Sequence, residues 1–327
     1  MLKRVMAAVL ASMIAGTAAG AEPSWQPRRP VAFVVGATAG GGLDLTARVL
    51  QQIWDAKRLT AGVPVVIVNK PGASNAIAWT YLNERNDDGH AIAIGSTNLI
   101  TNPIMGTNAL GHRDITPLAI LIDDYLVFAV RADSPLRTMR DAVDRLRADP
   151  GVLSVAVAPG RGSPNHTSMG LAAKAAGVEV RKMRFVPYKS AAEAMTALIG
   201  GEVDIASVSS SNVPAQLTAN RIRLLAVTAP QRLHGALAVA PTLREQGINA
   251  TFTNWRAVIG PRQMSRPAAQ YWERALAEAI KTPEWAREVE RNFWVTNYRA
   301  GAVAARFMDE EAVRFTALWK EIGTAEH

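Results

Sequence analysis

Residues 31–50 read VAFVVGATAGGGLDLTARVL, and this stretch decides the fold class. The apolar run Val31-Ala32-Phe33-Val34-Val35 stops at Gly36, the pattern of a short buried strand. The turn Ala37-Thr38-Ala39-Gly40-Gly41-Gly42 follows, and the spacing then predicts a helix over residues 43–56, with Val49, Leu50, Ile53 and Trp54 on one face. Strand, turn and helix in that order build parallel sheets with helices on their faces.

The same series continues outward. Residues 63–68 read as a second strand closed by the turn Asn69-Lys70-Pro71-Gly72, then a helix over 74–83 and a third strand over 91–94. An apolar run covers 121–130, and a second α/β series begins beyond Asp133-Ser134-Pro135. Its strand at 153–158 ends in the turn 159–164, ahead of a helix carrying His166, Met169, Leu171 and Ala172. A strand at 182–186 precedes Ser190 and Glu193, spaced as a capping box, and Gly200-Gly201 stops the helix they open. Further strands are expected at 203–208 and 224–227, with a crossing strand at 257–259. The tail reads as helical: Thr282-Pro283 is an N-cap with proline at the first helical position, and a last helix is expected over 302–322.

The N-terminus bears on compartment. Lys3 and Arg4 precede a small, apolar run over 5–19, and Ala19-Gly20-Ala21 fits a small-x-small cleavage site, so residues 1–21 read as a secretory signal peptide. The run falls short of the ~20 residues a membrane span needs, and no later stretch is apolar for long enough. The chain has no cysteine, which excludes a disulfide framework and leaves stability to burial alone. Its formal net charge is +8, two of which leave with Lys3 and Arg4. The basic residues are scattered without an aromatic-basic stripe, so nucleic acid is not the expected partner. A mildly basic body does favour small anions.

Backbone amides at a helix N-terminus are unpaired and carry the positive end of the helix dipole, so an anion fits beside the glycine turn at 40–42. Neither nucleotide pattern is met: Gly42 is followed by Leu43-Asp44 rather than Lys-Ser/Thr, and the G-x-G-x-x-G spacing is missing. The turn Arg161-Gly162-Ser163-Pro164-Asn165-His166 repeats the arrangement in the second series, now with a fixed positive charge. Open α/β sheets place ligands at the carboxyl ends of their strands, where both turns lie. A hydrolase is the rival class, with Ser163 and His166 close in sequence, but no G-x-S-x-G elbow surrounds any serine. No H-E-x-x-H or tight His/Asp/Glu cluster supplies a metal site. Asp123-Asp124 reads as a solvated loop, and Asp44 as a first-turn acid complementing its own helix.

Several motifs together resemble the receptor proteins of tripartite tricarboxylate transporters, the Bug-type periplasmic solute-binding proteins. They are the run 34–48 (VVGATAGGGLDLTAR), Asn69-Lys70-Pro71-Gly72-Ala73-Ser74-Asn75, Asp88-Gly89-His90, Val186-Pro187-Tyr188-Lys189, Leu198-Ile199-Gly200-Gly201-Glu202-Val203-Asp204, Leu225-Ala226-Val227-Thr228 and 241–247 (PTLREQG). They run in order over nearly the whole chain. The resemblance implies an α/β, type II periplasmic-binding fold: two lobes with mostly parallel sheets joined by two crossing segments. Lobe 1 would comprise 22–128 and 258–327, and lobe 2 residues 129–257. It implies a small di- or tricarboxylate held in the cleft by Thr38, Ala39, Gly40, Ser74, Asn75, Ser96 and Thr97 from the first lobe. From the second it implies Arg161, Gly162, Ser163, Asn165, His166, Ser209 and Ser210. No cofactor is implied. A periplasmic monomer would hand the ligand to membrane permease subunits; a ligand sensor serving a signalling receptor is the alternative. Gly36-Ala37-Thr38-Ala39 departs from the commoner P-F-P-A run, and Ser74-Asn75 from glycine-rich residues; both departures lie on the ligand face.

Overall fold

The computed structural model describes residues 25–158, 160 and 162–322; the expected signal peptide lies outside them. β1 (Val31–Val35) is flanked by β2 (Val65–Asn69) and β3 (Ala91–Ser96), both parallel to it. The connections are α1 (Gly42–Lys57) and α2 (Ala76–Asn83). α1 forms where the sequence repeats apolar residues at helical spacing. Leu50, Ile53 and Trp54 are buried, Trp54 lies 5.6 Å from Phe33 between ring centres, and its indole N–H donates to the Ala275 carbonyl at 3.2 Å.

After α3 (Asn98–Ile104) the chain enters β4 (Ile115–Arg131), which organises the rest of the fold. Its first part pairs with β9 (Thr253–Pro261) from Ile115 to Tyr125 and with β10 (Val295–Ala300) from Ala119 to Asp123, both antiparallel. From Leu126 on it pairs instead with β7 (Ile205–Ser209) and β8 (Ile222–Val227), again antiparallel. One strand thus belongs to two sheet regions and changes all its partners between Tyr125 and Leu126. The second region repeats the parallel plan: β5 (Ser154–Val157) lies between β6 (Arg184–Pro187) and β7. α4 (Met139–Ala148), α5 (Pro164–Ala175), α6 (Ala191–Gly200) and α7 (Pro214–Thr218) connect its strands. The parallel pairs expected from strand–helix alternation are therefore present in both regions, and the antiparallel ones all involve β4 or β9.

Local signals behave as their chemistry requires. Ser190 Oγ accepts the Glu193 N–H at 3.2 Å, and Gly201 closes α6 at φ +80°. Thr282 Oγ accepts the Trp285 N–H at 3.2 Å to open α9 (Pro283–Arg291). The tail is not wholly helical, however. Between α8 (Arg266–Ile280) with α9 and the final α10 (Gly301–Ile322) the chain inserts β10, which occupies the free edge of β4. α10 then packs aromatic residues along the fold: Phe307 against Trp255, Phe315 against Phe252 and Trp319 against His166. Every tryptophan except Trp25 is buried. At ~200 Å² each and ~25 cal/mol per Å², each contributes roughly 5 kcal/mol gross, which is how a chain without disulfides is held. Among the described residues no helix is long and apolar enough to cross a membrane.

The acid pair is the clearest departure from expectation. Asp123 and Asp124 form no solvated loop; they lie inside β4 and are 9% and 0% exposed. Strand geometry prevails because each carboxylate finds partners from neighbouring strands. Asn297 Nδ2 donates to both Asp123 oxygens at 3.0 Å, and Asp124 pairs with Arg256.

Candidate functional site

The glycine turn after β1 is held by Asp44, which does more than complement its helix. Its carboxylate is fully buried and accepts the Gly40 N–H at 2.8 Å, Asn69 Nδ2 at 2.8 Å and Arg48 Nε at 2.7 Å. Asn69 Nδ2 also donates to the Ala37 carbonyl at 2.9 Å, so both ends of the turn are tied to one carboxylate–amide pair. Burial alone would push the Asp44 carboxyl up, but the hydrogen bonds from Arg48, Asn69 and Gly40 bring it below the usual carboxylate value. Thr38, Ala39 and Gly40 are left exposed, and Gly41 offers no side chain to cap α1. The first-turn amides of α1 are the donors an anion would meet there.

The segment after β2 sits against this turn. Ala73, Ser74 and Asn75 all adopt positive φ, at 45°, 51° and 75°. Such conformations cost non-glycine residues of order 1–3 kcal/mol each, and they persist where surrounding structure fixes them, often at functional sites. Asn102 Nδ2 holds the Ser74 carbonyl at 3.1 Å. The Asn75 side chain lies so close over Gly36 that a β-carbon on Gly36 would stand 2.5 Å from Asn75 Cβ. Asn75 Nδ2 donates to Ser96 Oγ at 3.4 Å, and Thr97 Oγ donates to Asn254 Oδ1 at 3.2 Å. The first-region residues expected at the ligand face thus gather at the carboxyl ends of β1 and β3.

In the second region Gly162 stands at φ +75°, and Ser163 caps α5 by accepting the His166 N–H at 3.3 Å. His166 Nδ1 accepts the Gly162 N–H at 2.9 Å, and the imidazole packs on Phe185 and Trp319. The ring nitrogen nearest the turn is therefore an acceptor fixing the backbone. Ser163 is not wired to it as a nucleophile to its base. Asn165 is buried at the start of α5. Arg161 lies outside the described residues. At the end of β7, Ser209 Oγ donates to Asp124 Oδ1 at 2.6 Å and lies 2.9 Å from Ser211 Oγ. Ser210 is fully buried, and its hydroxyl has no hydrogen-bond partner among the described residues. The second-region turn touches the first region at the far end of α3: a β-carbon on Gly162 would stand 2.9 Å from Cγ of Met105, which follows that helix.

Two residues central to this arrangement are missing from the site expected from sequence. Arg256 in β9 is 2% exposed and Asp124 in β4 is 0% exposed. The Arg256 guanidinium donates to the Gly42 carbonyl at 2.8 Å and to Thr46 Oγ at 2.7 Å, while pairing with Asp124. The available signal was charge inside two largely apolar strands, the adjacent acids of β4 and the lone arginine of β9, which is tolerated only when the charges are paired. Beside them, burial pushes the Asp123 carboxyl up, only partly offset by Asn297, Thr253, Arg299 and Tyr125. Burial, with Asp123 alongside, pushes the Tyr125 phenol up as well. Among the described residues no group of three or more His, Cys, Asp or Glu side chains is placed to hold a metal ion.

Comparison with known proteins identifies the family and the fold. Residues 47–324 match the model of the tripartite tricarboxylate transporter family receptor, TctC. A protein of Cupriavidus necator described as a UPF0065 protein in the gbd 5′ region is 27% identical over 326 residues, covering 98% of this chain and 96% of that one. Among solved structures, a TctC solute-binding protein from Polaromonas is 27% identical with a TM-score of 0.71, covering 90% of this chain and 99% of that one. An R. palustris protein solved with adipate is 25% identical with a TM-score of 0.79, covering 91% and 98%. The strand plan and these matches converge, and the chain belongs to the TctC family of solute-binding proteins, which are receptors and not enzymes.

Proposed function

We propose that this protein captures a small di- or tricarboxylate in the periplasm, between the turns of its two sheet regions, and delivers it to a membrane permease of the tripartite tricarboxylate type. The observation that carries the reading is the convergence of donors without a free acid. First-turn amides of α1 and α5 and the hydroxyls of Ser96 and Ser210, which donate to no described residue, lie at these turns, while Asp44 and Asp124 are already satisfied by other partners. The R. palustris relative solved with adipate supports a carboxylate ligand. We assign a charge-bearing role to Arg161 from its sequence position between Gly160 and Gly162.

Magnitudes require both sides. One helix N-terminus contributes about 0.3–1 kcal/mol at an exposed site. A micromolar ligand needs about 8 kcal/mol. Several charge-assisted hydrogen bonds of about 1.5–3 kcal/mol each must therefore act together, in a cleft that excludes water. Closure would bend the molecule where the chain passes between regions, with residues 22–128 and 258–327 expected in one lobe and 129–257 in the other. The change of strand partners between Tyr125 and Leu126 supports a crossing in β4 three residues before the expected boundary, and the pairing of β9 with the first region from Thr253 on supports a return crossing just before that strand.

Thermal unfolding against C4–C6 dicarboxylates and citrate tests the reading. Ligand at 100 times its Kd stabilises by about 2.7 kcal/mol, a rise of roughly 4 °C in Tm for a chain of this size. No shift with any of these acids at millimolar concentration would contradict it.

A further inference from the structure

We infer that the buried Arg256–Asp124 pair is a positioning device that couples the glycine turn of one sheet region to the serine turn of the other. The inference rests on reading those turns as the ligand site, and it concerns how the two halves of that site are kept in register. The connection is continuous. Arg256 reaches the Gly42 carbonyl at 2.8 Å and, one turn further along α1, Thr46 Oγ at 2.7 Å. Its other terminal nitrogen donates to Asp124 Oδ2. Asp124 Oδ1 accepts Ser209 Oγ at 2.6 Å, and Ser209 Oγ in turn receives the Ser211 N–H at 3.4 Å. A third ligand-face residue joins beside it, because Asp124 stands opposite Asn254 in the ladder and Asn254 accepts from Thr97.

The location gives the chain of bonds its meaning. Asp124 lies two residues before the point where β4 leaves β9 and takes up β7. A displacement of one sheet region against the other is therefore transmitted through this pair before it reaches either turn. Space is limited on the glycine side: a β-carbon on Gly42 would stand 2.9 Å from an Arg256 terminal nitrogen, so the backbone is seated directly on the guanidinium. Trp294 lies beside the guanidinium, its ring centre 5.0 Å from the central carbon, and restricts its movement. A buried ion pair is a poor way to gain stability, since well-packed apolar residues of similar volume often serve as well or better. What apolar residues would not supply is directional bonding to both turns at once. The pair also neutralises itself, leaving the ligand to be met by amides and hydroxyls.

Hydrogen exchange on the full ligand-free protein tests the coupling without requiring that the ligand be known. Ser209→Ala and Thr46→Val each cut an outer bond and leave the ion pair whole, so both variants keep the buried charges compensated. Arg256→Met and Asp124→Asn cut the centre, and the Arg256→Met/Asp124→Leu double variant removes both charges. Loss of coupling predicts that Thr46→Val and Arg256→Met raise amide exchange at residues 209–212 by fivefold or more, although neither residue touches them. Asp124→Asn and Ser209→Ala should do the same at residues 36–45. The double variant should retain its melting temperature and still show fast exchange at both turns. Faster exchange confined to the turn nearest each substitution would overturn the inference, as would slow exchange at both turns in the double variant. Titration with adipate provides a second readout: each single variant should bind it at least tenfold more weakly than the wild type. An Asp124→Asn protein that binds adipate more tightly would also overturn the inference, making Arg256 itself a ligand cation held in check by Asp124. Failure of the wild type to bind adipate, malate or citrate would count against the carboxylate reading and leave the exchange result to decide the coupling.

Discussion

Replacing Asp44 by asparagine removes one charge and one acceptor while keeping the shape of the side chain. In the native protein one carboxylate oxygen accepts from Gly40 N–H and Arg48, and the other from Asn69. Arg48 is 43% exposed, so solvent screens its share, and the remaining two bonds set the scale. An asparagine can face only one of them with its oxygen. The bond it keeps falls from charge-assisted to neutral, a loss of about 1 kcal/mol, and the other donor is left buried and unpaired at about 1–3 kcal/mol. Asp44→Asn should therefore lower stability by about 2–4 kcal/mol at pH 7, measured by urea unfolding followed through tryptophan fluorescence. The sign with pH follows from the lowered carboxyl pKa. Stability from Asp44 is complete above the unfolded value near ~3.9 and is lost as pH falls through the folded value. The gap between wild type and variant should then be constant from pH 8 to 5 and close only in acid. A variant within 0.5 kcal/mol of wild type at pH 7 would show that the turn is not held by this carboxylate.

Gly36→Ala should displace Asn75 and cost about 1–3 kcal/mol, the range for overpacking; calorimetry checks it, and an unchanged Tm would mean that Asn75 moves freely. Glu311 is buried, which pushes its carboxyl up, Arg314 offsets that only in part, and Asp123 nearby adds to the rise. A raised folded pKa gives stability that is present below the unfolded value, ~4.3, and lost as pH rises through the folded one. Glu311→Gln should therefore melt higher than wild type at pH 8 and no higher at pH 4, and the opposite order in differential scanning calorimetry would refute it. Arg161→Ala should weaken carboxylate binding by about 1.5–3 kcal/mol with the ligand-free Tm nearly unchanged, and Arg161→Lys should recover only part of the loss. Titration calorimetry decides it, since an alanine variant within about twofold, ~0.4 kcal/mol, would leave binding to amides and hydroxyls.

The fold was legible where one segment carries its own signal. The strand ending at Gly36, the cap at Thr282-Pro283 and the stop at Gly201 each depend on residues a few positions apart, and each is where it was expected. β10 was not, because a short strand that completes the edge of β4 is defined by its partner more than by its own alternation. The acid pair was misread for the same reason. An Asp-Asp dipeptide is normally solvated, and only the arrival of Arg256 and Asn297, 132 and 174 residues later in the chain, makes a buried strand of it. Asp44 could be placed at a first helical turn from local sequence, yet its partner Asn69 belongs to the next strand. At the candidate site, motifs located the turns; the contacts that hold them are long-range and became visible only with the fold.

The most direct measurement is calorimetric titration of the ligand-free protein with adipate, malate and citrate, and in parallel with adipamide, the uncharged diamide of adipate. The account predicts one saturable site for at least one of the acids, near micromolar Kd or about 8 kcal/mol, with the bound acid recovered chemically unchanged and no detectable heat from the diamide. Equal binding of the diamide and the acid, conversion of the acid to a product, or failure of all three acids to bind would contradict it.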